Sequence, residues 1–238
     1  MKFVYIPGIV SLVFLALAFL YPLATIIFGF SFLVFLYFLY ARYTFSPSGR
    51  DVQDKIWELV LSNLDWNGEG QALDIGCGNA PLTIKLARKY PEARIIGIDF
   101  GGEKWDYSKG ICERNAKLEG VEDRVLFQKA SAAKLPFADE YFDAVVSNLT
   151  FHEVRDARDK REVIREAFRV IKKGGRFVFQ DLFLLKPTYG EIDELITTIQ
   201  SWEIKKVEFI RTCEAPFIPP LLRLPFMVGT MGILFGEK

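Results

Sequence analysis

The chain has 238 residues, with 30 basic and 30 acidic side chains and a formal net charge of zero. That balance argues against general binding to nucleic acid, which draws on a basic excess. The three cysteines (Cys77, Cys112 and Cys213) stand far apart with no Cys-x-x-Cys pair, so neither a disulfide framework nor a metal site is expected, and the usage fits a reducing compartment.

No Asp, Glu, Lys or Arg occurs between Lys2 and Arg42. As one helix this run would extend roughly 58 Å, about twice the thickness of a bilayer's hydrocarbon core. Two crossings fit better, about residues 3–20 and 23–40, with a break at Tyr21-Pro22, because proline disfavours helical geometry at the residue before it. Residues 1–41 are therefore expected to form a transmembrane helical hairpin. Lys2 and Arg42 then share one side, which the positive-inside rule makes cytoplasmic. A hairpin that dips in without crossing, or one tilted helix, is the competing reading. A cleaved signal peptide is disfavoured by the length of the run.

Residues 42–50, with Ser46-Pro47-Ser48-Gly49, read as a linker to a single domain over 51–238. Asp51–Leu64 has helical apolar spacing. Strands and helices then alternate. Strands are predicted at Ala72–Ile75, Arg94–Ile98, Arg124–Gln128, Phe142–Ser147 and Arg176–Gln180. Helices are predicted at Pro81–Tyr90, Glu103–Leu118, Asp159–Ile171 and Tyr189–Gln200, the third of them ended by Gly174-Gly175. Lys205–Ile210 and Val228–Phe235 are late strands. The alternation predicts an α/β domain, a mostly parallel sheet with helices on both faces.

The run Leu73-Asp74-Ile75-Gly76-Cys77-Gly78-Asn79 lies between a strand and a helix, where glycines let the backbone turn sharply and approach a ligand. The third glycine of a dinucleotide fingerprint would fall at Pro81, so that pattern is broken. Asp74 adds a carboxylate that repels pyrophosphate and attracts an ammonium group. Asp99, ending the second strand, can accept from both hydroxyls of a ribose, and Phe100 beside it can stack on a base.

With Leu135-Pro136-Phe137-Ala138-Asp139, Phe142-Asp143 and Lys172-Lys173-Gly174-Gly175-Arg176, these residues resemble the class I (Rossmann-like) S-adenosylmethionine-dependent methyltransferases from about residue 50 onward. The resemblance implies a seven-stranded sheet with a reversed last strand. It implies that Asp74 and the loop Gly76, Cys77, Gly78 and Asn79 hold the methionine part of the cofactor, Asp99 the ribose, and the Ser131-Ala132 turn the adenine. The family often carries Asp where this chain has Ser131. A hydroxyl still accepts from the adenine amino group, at a net cost of about 1 kcal/mol. Trp105-x-Tyr107-Ser108-Lys109 resembles a run in some membrane-linked members, and is equally readable as a helix packing its aromatics inward.

The resemblance implies transfer of a sulfonium methyl group, for which holding the acceptor close and aligned supplies most of the acceleration. A base is needed only where the acceptor must lose a proton. His152, the sole histidine, Asn148 after the fourth strand, and Asp181 are the candidate catalytic residues, and Asn148 also borders the cofactor side. The expected partners are a membrane and a small apolar or lipid-like acceptor, with no nucleic acid. Two further readings stay open: a cofactor-binding membrane protein without catalysis, and a nicotinamide oxidoreductase, against which Asp74 and Pro81 speak. The proline-rich apolar stretch Ala215–Val228 reads as a buried crossover or as a surface facing the bilayer.

Overall fold

The computed structural model describes residues 2–18, 22–101 and 105–238. It divides into two compact units, Met1–Ile56 and Trp57–Lys238. Tyr21 of the predicted Tyr21-Pro22 break, and the side chains of Trp105 and Tyr107, lie outside the described residues.

The first unit holds helices α1 (Lys2–Ala18) and α2 (Pro22–Phe45), and the start of α3 (Val52–Ser62). The Ser11 hydroxyl lies 2.8 Å from Pro7 O and 3.0 Å from Ser31 Oγ, and its one proton serves either acceptor. A polar pair is thereby buried between the helices rather than turned to an apolar exterior. Ile9, Leu12, Ile26, Phe30 and Leu33 point outward. Among the described residues one helix, Ala24–Phe45, is long and apolar enough to cross a membrane by length and composition. Helix α2 runs to Phe45, four residues into the predicted linker, before Ser46-Pro47 ends it.

The second unit is a seven-stranded mixed sheet with helices on both faces, a Rossmann-like methyltransferase fold. Its strands are β1 (Gln71–Ile75), β2 (Arg94–Asp99), β3 (Val125–Lys129), β4 (Phe142–Asn148), β5 (Ile171–Asp181), β6 (Lys206–Arg211) and β7 (Gly232–Glu237), in the order β3-β2-β1-β4-β5-β7-β6. Only β7 is antiparallel to its neighbours β5 and β6. Alternation along β1 builds two cores. Ala72 packs with Leu82 and Leu86 of α4 (Pro81–Lys89) and Cys112 of α5 (Trp105–Leu118). Leu73 and Ile75 pack with Ile164 and Phe168 of α6 (Lys160–Arg169) and Ile199 of α8 (Ile192–Gln200). Strands buried on both faces need apolar side chains in both directions, which is why these segments read as unbroken apolar runs.

Three boundaries differ from expectation. Helix α6 ends at Arg169, and β5 starts at Ile171 with a register shift before Arg176, so Gly174-Gly175 shape a strand irregularity rather than a helix end. The helix expected over Tyr189–Gln200 is two, α7 (Lys186–Tyr189) and α8, separated at Gly190 with φ 79°. Strand β7 begins at Gly232, because Val228 closes a turn over Pro225–Gly229. Within Ala215–Val228, Ile218, Leu222 and Val228 are buried while Leu221, Leu224 and Phe226 are exposed.

Arg169 fixes the Leu135–Asp139 loop. Its guanidinium donates to Phe137 O at 2.9 Å, Leu135 O at 3.1 Å, Asp139 Oδ1 at 2.6 Å and both Glu166 oxygens at 2.8 Å. Leu135 N donates in turn to Glu166. Arg169→Ala is expected to destabilise the second unit by about 2–3 kcal/mol, since hydrogen bonds to charged groups are worth about that much. Chemical denaturation checks it.

Candidate functional site

The strand order reverses between β1 and β4, which leaves a crevice beyond their carboxyl ends where ligands bind in such sheets. A cavity of about 630 Å³ opens there. Its walls include Gly76, Gly78, Asp99, Phe100, Ser131, Ala132, Thr150, Glu153 and Asp156.

The glycine loop is shaped by its own hydrogen bonds. Gly76 N and Cys77 N both donate to Ile98 O, at 2.8 and 2.9 Å. Gly78 N donates to Asp99 Oδ2 at 3.0 Å, and Ala80 N to Cys77 O at 2.7 Å. Gly76 has φ 77°, and a Cβ there would run into the Thr150 side chain, so no other residue fits. Gly78 has φ 55° with open space before it, so a ligand can approach its backbone. Cys112 Sγ and Asn115 Nδ2 pin the loop from α5 through Gly78 O and Asn79 O.

These bonds decide what the loop can hold. A phosphate-binding loop points free N–H groups at its ligand. Here the N–H groups of Gly76, Cys77, Gly78 and Ala80 are engaged within the protein, and that of Asn79 is left over. One remaining donor is a poor cradle for a pyrophosphate, and with Asp99 beside it the surroundings are negative, which suits a sulfonium or ammonium group.

The sequence-predicted residues fall into two groups. Gly76, Gly78, Asp99, Phe100, Ser131 and Ala132 meet on the cavity wall. Asp74, Cys77, Asn79 and Asn148 are not on it. Asp74 is fully buried on the α4 face of the sheet, where it accepts from Thr83 Oγ1 at 2.6 Å. Asp74 therefore lies off the cavity wall in this structure, where the resemblance implied a residue holding the ligand. Burial, helped by the neighbouring Asp99 and opposed by the Thr83 bond, pushes its carboxyl up to about 7. Cys77 turns inward to Cys112, and that contact together with burial pushes its thiol up, so it acts as core.

At the ends of β4 and β5, His152 Nδ1 lies 2.6 Å from Asp181 Oδ1. Asp181 is fully buried and also accepts from Phe151 N at 2.7 Å and Leu182 N at 2.6 Å. The hydrogen bond to Asp181 holds the His152 imidazole above its ordinary pKa of 6.5, against the opposing effect of burial. His152 is not itself on the cavity wall, but Glu153 is, 3.9 Å from His152 Nε2. The Tyr189 hydroxyl is buried with no hydrogen-bond partner among the described residues, and burial, reinforced by the nearby Asp181 charge, pushes its pKa up.

Three residues escaped the sequence reading. Asp156 accepts from Ser131 Oγ at 2.6 Å across the cavity mouth. Gln180 stands beside Asn148 in register, and Asn148 Oδ1 and Gln180 Oε1 are buried without a donor among the described residues. Thr150 closes the space over Gly76. The apolar–polar rhythm at the strand ends was the only available signal, and it marks Gln180 alone.

Residues 67–212 match the family described as a methyltransferase domain. The chain belongs to that family. Among curated relatives, the ubiquinone/menaquinone biosynthesis C-methyltransferase of Desulfotalea psychrophila is 35% identical over 130 residues, 54% of this chain and 48% of that protein. The 27-O-demethylrifamycin SV methyltransferase of Amycolatopsis mediterranei is 36% identical over 143 residues, 60% of this chain and 49% of that one. The chain thus spans about half the length of these relatives. Among solved structures, geranyl diphosphate C-methyltransferase from Streptomyces coelicolor A3(2), in complex with S-adenosyl-L-homocysteine, superimposes with a TM-score of 0.60 at 13% identity, over 78% of this chain and 79% of that one. The cofactor of the family member described here is S-adenosylmethionine, and the residues of the cavity fit it.

A carboxyl that folding raises to about 7 stabilises the fold below its unfolded value near 3.8, and that stability is lost as pH rises through 7. Asp74→Asn removes the titration while keeping an oxygen for Thr83. It is expected to raise the cofactor-free melting temperature at pH 8 by several degrees and to leave it unchanged at pH 4. Thermal melts at the two pH values test this.

Proposed function

We propose that the chain is a membrane-tethered methyltransferase whose second unit faces the cytoplasm and whose acceptor is a small apolar or lipid-like molecule. One observation supports the methyl-transfer part: the N–H groups of Gly76, Cys77 and Gly78 are engaged within the protein beside the Asp99 carboxylate, which favours a cationic group over a pyrophosphate. The loop Gly76–Gly78, with the negative field of Asp74, holds the methionine part. Asp99 accepts from the ribose, and Phe100 and the Ser131-Ala132 turn border the base. S-adenosylmethionine, when bound, supplies a methyl group already activated on its sulfonium sulfur.

His152 is the general base of the proposal, and Asp181 its positioning residue. The carboxylate fixes the imidazole with its proton on Nδ1 and its lone pair on Nε2. Nε2 then takes a hydroxyl or enol proton from the acceptor. Removing that proton from a phenol enriches both the oxygen and the ortho ring carbon, so one base serves either attack. That agrees with two relatives of near-equal identity, one named as a C-methyltransferase and one acting on a demethylated oxygen. The apolar helices α1 and α2 favour an acceptor that resides in a bilayer, crossed as a hairpin with Lys2 and Arg42 on the cytoplasmic side.

Purified full-length protein with methyl-labelled cofactor and a membrane extract is expected to place label in the organic-soluble fraction, with Asp99→Ala reducing it at least tenfold. Label confined to water-soluble products, at the same rate without residues 1–41, would remove the lipid-like acceptor.

Only neutral His152 can act as a base, and Asp181 raises its pKa. The rate should therefore climb with pH through a value above 6.5. Asp181→Asn should shift that limb to lower pH and cut kcat about a hundredfold, within the usual contribution of a general base. A pH–rate profile that Asp181→Asn leaves in place would exclude the pair.

A further inference from the structure

Among the described residues, three carboxylates line the cavity: Asp99, Glu153 and Asp156. Asp99 is engaged by the N–H groups of Gly78 and Gly101, and Glu153 lies toward His152. Asp156 belongs to neither arrangement. It comes from the turn before α6, yet Ser131 Oγ, 25 residues earlier in the chain, donates to its Oδ2 at 2.6 Å. Ser131 Oγ accepts from Ala133 N at 3.1 Å. A hydroxyl has one proton to give, and here Asp156 takes it. Ser131 is thereby a clamp, and the accepting group it presents is the carboxylate of another loop.

The position of that carboxylate relates it to the nucleoside. Ala130 N donates to Asp99 O at 3.1 Å, which joins the Ala130–Ala132 turn to the end of β2. A nucleoside whose ribose rests on Asp99 has Ile98, Phe100 and this turn beside it in the cavity lining. Asp156, which also lines the cavity, is joined to the turn through Ser131.

We propose that Asp156 reads the base. Its carboxylate accepts from the exocyclic amino group of adenine and repels a carbonyl at the same place, and Ser131 is its positioning residue. The proposal rests on S-adenosylmethionine as cofactor and names a specificity-determining residue outside the strand end where the accepting group was expected.

The test is calorimetry on the full chain in detergent, with S-adenosylhomocysteine and with S-inosylhomocysteine, which carries a carbonyl in place of the amino group. The native protein is expected to favour the adenosyl ligand by at least about tenfold, the worth of one hydrogen bond to a charged group. Asp156→Asn, whose amide can also donate, should collapse that ratio toward one. Ser131→Ala should lower it by a smaller factor. Because the readout is a ratio within one protein, loss of folded material does not imitate it. An unchanged ratio in Asp156→Asn overturns the proposal while leaving the cofactor in place. No heat with either ligand in the native protein overturns both.

Discussion

Asp99 holds two loops at once, and the rest of the site depends on that. Its Oδ2 accepts from Gly78 N and its Oδ1 from Gly101 N, so one carboxylate locks the glycine loop after β1 to the loop after β2. Ile98 O, one residue earlier, takes the N–H groups of Gly76 and Cys77. The turn this imposes is open only to glycine at Gly76, where φ is positive and Thr150 fills the remaining space. Because the loop directs its donors back into β2, it presents the opposite polarity to a phosphate-binding loop of similar outline. The fold is shared among many chemistries; the direction of a few N–H groups separates them.

The sheet explains why these groups gather where they do. Parallel strands buried on both faces leave only their ends available for polar residues. Asp74, Asn148, Gln180 and Asp181 all lie at the carboxyl ends of β1, β4 and β5. Asp181 is matched by backbone N–H groups and an imidazole. The reversed strand β7 contributes differently: it pairs Asp181 with Gly232 in register and so lets the end of β5 stay in the sheet while Phe183 and Tyr189 pack beyond it.

Much of the fold was legible because the strands are apolar runs bounded by glycine, proline and charge. β1, β2, β4 and β6 fall within a residue or so of their predicted bounds. The misread boundaries share a cause. Gly174-Gly175 and Val228 sit where glycine or proline chemistry supports two outcomes, and only pairing with β4 or packing under β7 decides. Within the site, local spacing placed Asp74 at a strand end, and alternation with Leu73 and Ile75 even gives its face. What spacing could not give is which face opens to the cavity. Asp156 was invisible for a stronger reason: no local pattern joins residues 131 and 156, and their meeting is a product of the whole β3–β4–α6 arrangement.

Some of this polarity is left unmatched, with consequences for stability. A buried acceptor without a donor costs about 1–3 kcal/mol, and Asn148 Oδ1 and Gln180 Oε1 are two of them. Asp74 adds a carboxyl so disfavoured in its charged form that it titrates near neutrality. A domain has only about 5–15 kcal/mol of net stability, so these groups weaken the ligand-free fold by a substantial share of it. All three lie at the carboxyl ends of β1, β4 and β5 but off the cavity wall, so a ligand in the cavity does not pair with them directly. What a cation bound there supplies to Asp74 is charge alone, which favours the ionised carboxylate that burial opposes and so offsets part of its cost.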